Sequence, residues 1–323
     1  MNPNRPFWSV MIPAYEPNGL LGQAIESVLA QDAGADEMQI EVVDDGSTGV
    51  DVERLVRNVA GDRVAFYRRP ERGGLCAAWN TCIERAHGLW VHILHQDDLV
   101  LPGFYHRLRE GIEREPDIGA AYCRDILMDE DGHWHYISPL ESREPGIIPD
   151  CLERIASGQF IRTPAIVVKR DVYRNIGGYS QELVYTLDWD MWKRIAARYP
   201  VWYEPQPLAC YRTHNSSETY RLIRTGEDIV DAKKSIEISR AYLPKEIADR
   251  VSAKAAERFS IEAVRNARRM LGLRNVSASL AQIRGALRLS PTLKVVLAVI
   301  RFFAWAAWRF ILRVFKRLVV SWN

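Results

Sequence analysis

The sequence is poor in cysteine, and its few cysteines are widely separated. They show neither a C-x-x-C spacing nor the density of a small secreted framework: Cys76, Cys82, Cys123, Cys151 and Cys210. A disulfide-stapled fold and a cysteine zinc site are therefore not expected, and idle thiols in a reducing compartment fit the pattern. The N-terminus up to Trp8 also lacks the charged and apolar regions of a secretory signal. We expect a cytoplasmic protein.

The chain has little net charge, +2 over 323 residues. Its composition, 47% hydrophobic and 26% charged, is typical of a globular chain and argues against a largely disordered one. At this length we expect one α/β domain of roughly 200 residues with a helical appendage. No nucleic-acid partner is expected.

Short apolar runs alternate with longer amphipathic segments in the N-terminal part. The runs have strand length and cover residues 9–13, 39–43, 64–67 and 89–94. The segments between them, 20–31, 52–59 and 75–87, place apolar residues at helical spacing. This order predicts a doubly wound, mostly parallel sheet, which binds ligands at the carboxyl ends of its strands.

Two pairs of acids follow the second and fourth predicted strands, Asp44-Asp45 and Asp97-Asp98. Strand ends of such a sheet converge on one crevice, so the carboxylates are expected to face a common ligand. Four acids in one cleft repel each other unless a cation is present, and a hard divalent metal with a diphosphate is the simplest solution. The alternative for each pair alone is turn and helix-cap chemistry.

Several segments, in order along the chain, resemble the motifs of family-2 glycosyltransferases with the GT-A fold. The resemblance covers about two thirds of the chain, from Trp8 to Asn215. It rests on segments 9–15 (SVMIPAY), 42–47 (VVDDGS), 73–80, 86–88 (AHG), 95–98 (HQDD), 177–179 (GGY), 187–192 (LDWDMW) and 211–214 (YRTH).

The resemblance implies a nucleotide-sugar site at the strand ends. Asp45 would accept hydrogen bonds from the base and Tyr15 would stack on it, with Pro13 and Ala14 allowing close backbone approach. Arg72 would place a cation near the nucleotide, although the alternative is a solvated basic loop. A UDP-sugar is the favoured donor.

The resemblance also implies a Mn²⁺ or Mg²⁺ site. Asp98 would hold the metal, which neutralises the diphosphate leaving group. Asp97 would help through the sugar or the water shell of the metal. His214 would be a further metal or phosphate contact, with a purely structural histidine as the alternative. His95 is expected to line the cleft without binding metal.

Asp188 is the candidate catalytic base. One carboxylate opposite the leaving group suffices to deprotonate the acceptor hydroxyl in a single displacement with inversion. The alternative is a plain helix N-cap. Leu187 and Trp79 stand where many relatives have Glu and Arg, which puts the acceptor class in doubt, and the absence of a Q-x-x-R-W motif disfavours a processive synthase.

The last stretch, 291–323, has no acid and is otherwise largely apolar. Helical spacing gathers its cations on about half of the circumference, which predicts an interfacial helix on an anionic membrane. Packing on protein is the alternative. The cations are Lys294, Arg301, Arg309, Arg313, Lys316 and Arg317.

The sequence thus divides into a catalytic domain (1–225), a helical extension (226–290) and a basic amphipathic helix (291–323). We expect a metal-dependent, inverting glycosyltransferase on the inner face of the membrane. It would move one sugar to a hydroxyl of a membrane-presented acceptor, such as a lipid-linked glycan or a surface polysaccharide precursor. The alternatives are a catalytically weak or inactive nucleotide-sugar-binding assembly module and a nucleotidyltransferase of the same fold.

Overall fold

The computed structural model describes residues 5–215 and 217–320. The chain forms two compact units, Met1–His214 and Asn215–Asn323.

The described part of the first unit is built on one mixed sheet of ten strands. The strands are β1 (Trp8–Ala14), β2 (Met38–Asp44), β3 (Ala65–Arg68), β4 (Trp90–Ile93), β5 (Leu99–Val100), β6 (Ala120–Met128), β7 (Trp134–Ile137), β8 (Gly146–Ile147), β9 (Ile166–Lys169) and β10 (Val201–Arg212). Their order is β3-β2-β1-β4-β9-β6-β10-β5, with β7 beside β6 and β8 beside β10.

The helices of the described residues surround this sheet in the first unit and make up most of the second. They are α1 (Leu20–Leu29), α2 (Val52–Ala60), α3 (Gly74–Arg85), α4 (Phe104–Arg114), α5 (Cys151–Ala156), α6 (Arg170–Ile176), α7 (Leu187–Ala196), α8 (Glu218–Thr225), α9 (Glu227–Ser239), α10 (Lys245–Gly272), α11 (Val276–Leu289) and α12 (Leu293–Val320).

The N-terminal half of the sheet is parallel, since β1 pairs in parallel with both β2 and β4, and β2 with β3. Strand β1 is buried along its whole length, which explains its nearly continuous apolar run. The first helix packs Leu21, Ile25 and Val28 against this core. The strands end at Ala14, Asp44 and Ile93, so the loops that follow them lie along one edge of the sheet.

The C-terminal half of the sheet is mixed. Strand β9 runs antiparallel to both β4 and β6, and β10 returns parallel to β6. The predicted α/β fold with a central sheet and a helical C-terminal extension is confirmed.

The second unit is helical in its described part, with a core formed by α9 to α12. Helix α12 contributes Val295, Val299 and Phe302 to that core, and Lys294 donates a hydrogen bond to Glu257 of α10 (2.8 Å). Phe302 stands among the cations on the helical projection, and its burial shows that this side of the helix packs on protein.

The opposite side of α12 is apolar and exposed. Leu297, Ile300, Phe303 and Ile311 all lie at the surface of the unit. Among the described residues, one segment, Leu293–Leu312, is long and apolar enough to cross a membrane, with a mean hydropathy of 1.9. The predicted cations Arg313, Lys316 and Arg317 lie outside the residues whose side chains the structure describes.

Candidate active site

Three potential metal ligands gather in the loop that follows β4. One side-chain ligand atom from each of His95, Asp97 and Asp98 lies within 4.8 Å of the others. The loop turns tightly, because the backbone N–H of Asp98 donates to the carbonyl of His95 (3.2 Å). The sequence therefore brings an imidazole and two carboxylates to the ligand-binding edge of the sheet.

Asp98 is fully buried, and its two carboxylate oxygens differ in their surroundings. Oδ1 accepts a hydrogen bond from the backbone N–H of Arg212 (2.8 Å). Oδ2 lies 3.3 Å from His95 Nδ1, yet among the described residues no donor reaches it with hydrogen-bond geometry. Burial, with the neighbouring charge of Asp97, raises the pKa of Asp98 to about 6.

His95 also has a buried side-chain atom without a hydrogen-bond partner among the described residues. Its Nε2 is buried and, within the described part of the chain, finds no hydrogen-bond partner. Burial opposes protonation, but the carboxylates of Asp98, Asp97 and Asp188 outweigh it and raise the pKa of His95. An orphaned carboxylate oxygen and an orphaned imidazole nitrogen in one cluster fit a divalent cation chemically.

His214 reaches the cluster through Asp97. Its Nε2 lies 2.7 Å from Asp97 Oδ2, and this hydrogen bond raises the pKa of His214. Burial acts against ionisation of Asp97, but the His214 hydrogen bond and the charge of His95 lower its pKa. The predicted ligand His214 is thus beside the acidic pair, as a partner of Asp97.

The Arg212 side chain connects the loop after β4, residues 94–98, to neighbouring segments. This loop is called the metal-motif loop below. Its Nε donates to the carbonyl of Asp97 (2.9 Å) and its Nη1 to the carbonyl of Glu130 (3.1 Å). Its Nη2 donates to Gln23 Oε1 (2.9 Å). One buried guanidinium therefore joins the loop after β4, the hairpin between β6 and β7, and helix α1.

The predicted nucleotide residues at the end of β1 lie next to this loop. Pro13 and Ala14 are buried at the strand end. The backbone of Tyr15 pairs with the Gln96 side chain in both directions, N–H to Oε1 (2.9 Å) and Nε2 to the carbonyl (3.2 Å). The guanidinium of Arg72 lies over the Tyr15 ring, 4.0 Å from its centroid. Tyr15 and Arg72 are thus in contact and fixed beside the acidic pair.

Asp45 organises the loop that begins α3. Its carboxylate accepts from the backbone N–H groups of Gly73 (2.9 Å) and Gly74 (2.7 Å), and it pairs with Arg69. The following Gly46 has a φ of +76°, and a Cβ there would lie 3.0 Å from the backbone nitrogen of Arg72. Asp45 is therefore a buried anchor that positions Arg72.

Asp188 stands in the first turn of α7, partly open to solvent. Its Oδ1 accepts from the backbone N–H of Trp189 (2.7 Å), and its Oδ2 accepts from Gln159 Nε2 (2.5 Å). The surrounding protein desolvates the carboxyl group and raises its pKa to about 6. The next acid on the helix, Asp190, instead forms an ion pair with Arg194 (2.8 Å). A carboxylate with this pKa is suited to accept a proton near neutral pH.

Three further site residues have no clear signal in the sequence. Gln96 holds Tyr15, Gln159 holds Asp188, and Trp79 stacks on His95. Gln96 lies inside segment 95–98 and Trp79 inside segment 73–80, but neither pattern indicates these contacts, and Gln159 lies outside every motif.

Comparisons with known proteins bear on the family and the fold of this chain. Residues 9–177 match the family model described as glycosyl transferase family 2. An uncharacterised protein of Mycobacterium tuberculosis is 28% identical over 247 residues, 72% of this chain and 76% of that protein. An uncharacterised glycosyltransferase of Rickettsia typhi is 27% identical over 225 residues, 68% of this chain and 67% of that protein.

Two solved structures share the fold at low sequence identity. S. aureus TarS 1-349 in complex with UDP-GlcNAc has a TM-score of 0.67 at 15% identity, covering 88% of this chain and 81% of that one. The mannosyltransferase PcManGT of Pyrobaculum calidifontis, in complex with GDP-Man and Mn²⁺, has a TM-score of 0.58 at 16% identity, covering 94% and 81%.

Proposed function

The chain belongs to glycosyl transferase family 2, with its GT-A fold, and we propose that it transfers one sugar, with inversion, from a nucleoside-diphosphate donor to an acceptor hydroxyl. One observation carries this proposal. The charges of Asp98 and Asp188 both raise the pKa of His95, which supports one cleft for the candidate metal cluster and the candidate base. Tyr15 and Arg72 border the same cluster through Gln96.

In the proposed reaction, a bond forms between the acceptor oxygen and the anomeric carbon while the bond to the diphosphate oxygen breaks. Asp188 accepts the hydroxyl proton on the face opposite the diphosphate, which leaves as the anion. Gln159 keeps the Asp188 carboxylate oriented for that proton. When bound, a divalent metal supplies positive charge for the departing diphosphate.

Asp98 is the proposed principal holder of Mn²⁺ or Mg²⁺, with His95, Asp97 and His214 around it. The buried Oδ2 of Asp98, which accepts no hydrogen bond from the described residues, supports this role. Tyr15 and Arg72 are the proposed contacts of the nucleotide, with Pro13 and Ala14 allowing its approach and Asp45 fixing the loop. A UDP-sugar is the first donor class to test, and the GDP-Man complex of PcManGT makes GDP-sugars the second.

A screen of nucleotide sugars tests the function. Full-length protein is heated with each UDP- and GDP-sugar, with and without Mn²⁺, and the stabilising donor is then offered to candidate acceptors. We expect metal-dependent stabilisation by one donor class and a product whose anomeric configuration is inverted by NMR. Asp98→Ala should abolish both, whereas the exposed acid Asp171 offers a matched control as Asp171→Ala. A product with retained configuration would contradict the mechanism.

We further propose that α12 attaches the enzyme to the cytoplasmic face of an anionic membrane, where a lipid-linked glycan or polysaccharide precursor is the acceptor. The exposed apolar side of α12 and its exposed Arg301 and Arg309 support this. A helix lying in the interface buries such an apolar side among acyl chains while its cations contact head groups. We accordingly propose a catalytic part, a helical extension and a membrane helix as the working parts of the chain.

A further inference from the structure

The hairpin between β6 and β7 carries a second group of potential metal ligands, outside the acidic cluster of the cleft. Within seven residues, 129–135 (DEDGHWH), it holds two acids and two histidines beside Glu130. The ligand atoms of Asp129, Asp131 and His133 lie within 4.8 Å of one another. His135 joins them through Asp129.

The geometry centres on one carboxylate oxygen. Asp129 Oδ2 lies 2.8 Å from His135 Nε2 and 3.4 Å from His133 Nδ1. Ligand atoms of a tetrahedral zinc site with bonds of about 2.0–2.1 Å stand about 3.3 Å apart. Each histidine nitrogen is therefore already near the spacing from Asp129 Oδ2 that two ligands of one ion require.

The turn holds these groups in place without a metal. Asp129 Oδ1 accepts from the backbone N–H groups of Asp131 (3.1 Å) and His133 (2.9 Å), which leaves Oδ2 turned toward the histidines. Arg212 fixes the turn from behind by donating to the carbonyls of Asp129 and Glu130. A preorganised ligand set loses little conformational entropy when an ion binds.

We propose that this hairpin is a transition-metal site in which Asp129, His133 and His135 bind Zn²⁺ or a similar ion, with Asp131 or water completing the shell. Two imidazoles and one carboxylate are ligands typical of Zn²⁺, Cu²⁺ and Ni²⁺, whereas Mg²⁺ and Mn²⁺ prefer oxygen. The two histidines are largely exposed, so the site is open to ions from solvent.

The position of the hairpin gives the ion a structural consequence. Arg212 joins the turn carbonyls to the carbonyl of Asp97, and the backbone N–H of Arg212 holds Asp98. An ion that rigidifies the turn would therefore stiffen the support of Asp97 and Asp98. The proposal does not depend on sugar transfer, since the binding of Zn²⁺ alone reports on it.

Calorimetric titration of tag-free, full-length protein with Zn²⁺ tests the site. All proteins carry Asp98→Asn, so that the cleft contributes less binding. We expect one equivalent of Zn²⁺ to bind, and the pair His133→Ala and His135→Ala to weaken it at least 10-fold. The matched control His106→Ala removes an exposed histidine that lies near Glu110 on α4, and should leave Zn²⁺ binding unchanged.

Electron paramagnetic resonance of bound Cu²⁺ gives a second readout. Coupling to two imidazole nitrogens is expected in the parent and should disappear in the double-histidine variant. The parent is the Asp98→Asn protein with both histidines intact. The proposal is overturned if the parent binds Zn²⁺ with a Kd above about 100 µM, or if the double substitution leaves the Zn²⁺ affinity or the Cu²⁺ spectrum unchanged. Circular dichroism confirms that the exposed substitutions leave the fold intact.

Discussion

The imidazole of His95 lies nearly parallel to the indole of Trp79, with ring centroids 4.9 Å apart and planes inclined by 23°. Trp79 is buried in α3 and also packs edge-on against Tyr179. Stacking fixes the plane of the imidazole, and the plane decides where its two nitrogens point. Trp79 thus orients a potential metal ligand.

Replacing Trp79 should therefore weaken metal binding. We expect Trp79→Leu to reduce Mn²⁺ affinity at least 10-fold, because His95 loses its stacking partner, while Trp79→Phe keeps most of the affinity. Mn²⁺ paramagnetic resonance measures binding without any turnover. Trp8→Phe, at an equally buried tryptophan of the main core, is the matched control for lost stability alone. Equal affinity in the Leu and Phe variants would remove Trp79 from this role.

Asp98→Asn should stabilise the metal-free protein at alkaline pH. The folded-state pKa of Asp98 is about 6 against an ordinary value of 3.8, so the ionised group costs stability as pH rises through this window. This difference in pKa lowers the free energy of unfolding by at most about 3 kcal/mol above pH 6. We expect a higher Tm at pH 8 in EDTA, little difference near pH 4, and no Tm increase with Mn²⁺. A variant less stable than wild type at both pH values would contradict this.

Local sequence patterns sufficed for the first half of the sheet. The apolar run 39–43 lies within β2, and the helical spacing of 20–31 gives α1, because each pattern matches one buried face. Strands β5 and β8 have two residues each, and they exist only because β10 pairs with them. Two residues are too few to show the alternation that predicts a strand.

From the residue pattern alone, the candidate site was predictable only where acids follow a strand end, whereas Asp188 was identified through the family resemblance. Asp97 and Asp98 could be identified because they directly follow a strand of the predicted sheet. The residues that contact the acids of the site come from distant segments. Gln159 and Asp188 are 29 residues apart, and the Arg212 side chain reaches the carbonyl of Asp97 across 115 residues. Such contacts depend on tertiary packing, which a single sequence does not specify.

Activity should fall in acid with an apparent pKa near that of Asp188. Burial raises this pKa to about 6, and a general base works only when ionised, so kcat should drop about tenfold per pH unit below pH 6. Asp188→Asn should keep donor binding while lowering kcat about 10²-fold or more. Donor affinity measured over the same pH range separates this effect from protonation of Asp98. A variant with near wild-type kcat would exclude Asp188 as the base.

Gln159 should affect the pH at which kcat falls in acid, the acid limb of the kcat profile. Its amide donates to Asp188 Oδ2, and this hydrogen bond favours the ionised carboxylate. Gln159→Ala should therefore move the acid limb of kcat to higher pH and lower kcat several-fold, with donor affinity unchanged. Gln159→Glu places a second acid beside Asp188 and should move the limb further. An unshifted pH profile in both variants would mean that Gln159 only fills space.

Donor binding should depend on the ring of Tyr15 and not on its hydroxyl. The ring lies under the Arg72 guanidinium beside the metal-motif loop, a surface suited to a planar base. We expect Tyr15→Phe to bind the donor nucleotide like wild type and Tyr15→Ala to bind it about 10-fold more weakly, since a stacked base contributes about 1–3 kcal/mol. Calorimetry with UDP and Mn²⁺ measures this. Equal affinities of the Phe and Ala variants would contradict stacking.

Membrane attachment should depend on the exposed side of α12. Its electrostatic contribution should weaken with salt, and its apolar contribution should not. Arg301 and Arg309 each contribute about 1 kcal/mol near an anionic leaflet, so Arg301→Gln with Arg309→Gln should weaken liposome binding about 10- to 30-fold at low salt. High salt should remove most of this difference, because the Debye length falls to about 3 Å at 1 M. Ile300→Ser with Phe303→Ser should lose binding at every salt concentration, since insertion of apolar side chains is not screened.

Two controls decide whether α12 lies on the membrane, crosses it or packs on protein. The exposed Arg284 lies on α11, outside α12, so Arg284→Gln should leave liposome binding unchanged. Washing with carbonate at pH 11 should release an interfacial helix, whereas a spanning helix with the apolar length of Leu293–Leu312 stays in the pellet. Resistance to carbonate would replace the interfacial helix by a transmembrane one. Binding that ignores both lipid charge and the Ile300 and Phe303 substitutions would show that this side of α12 packs against protein.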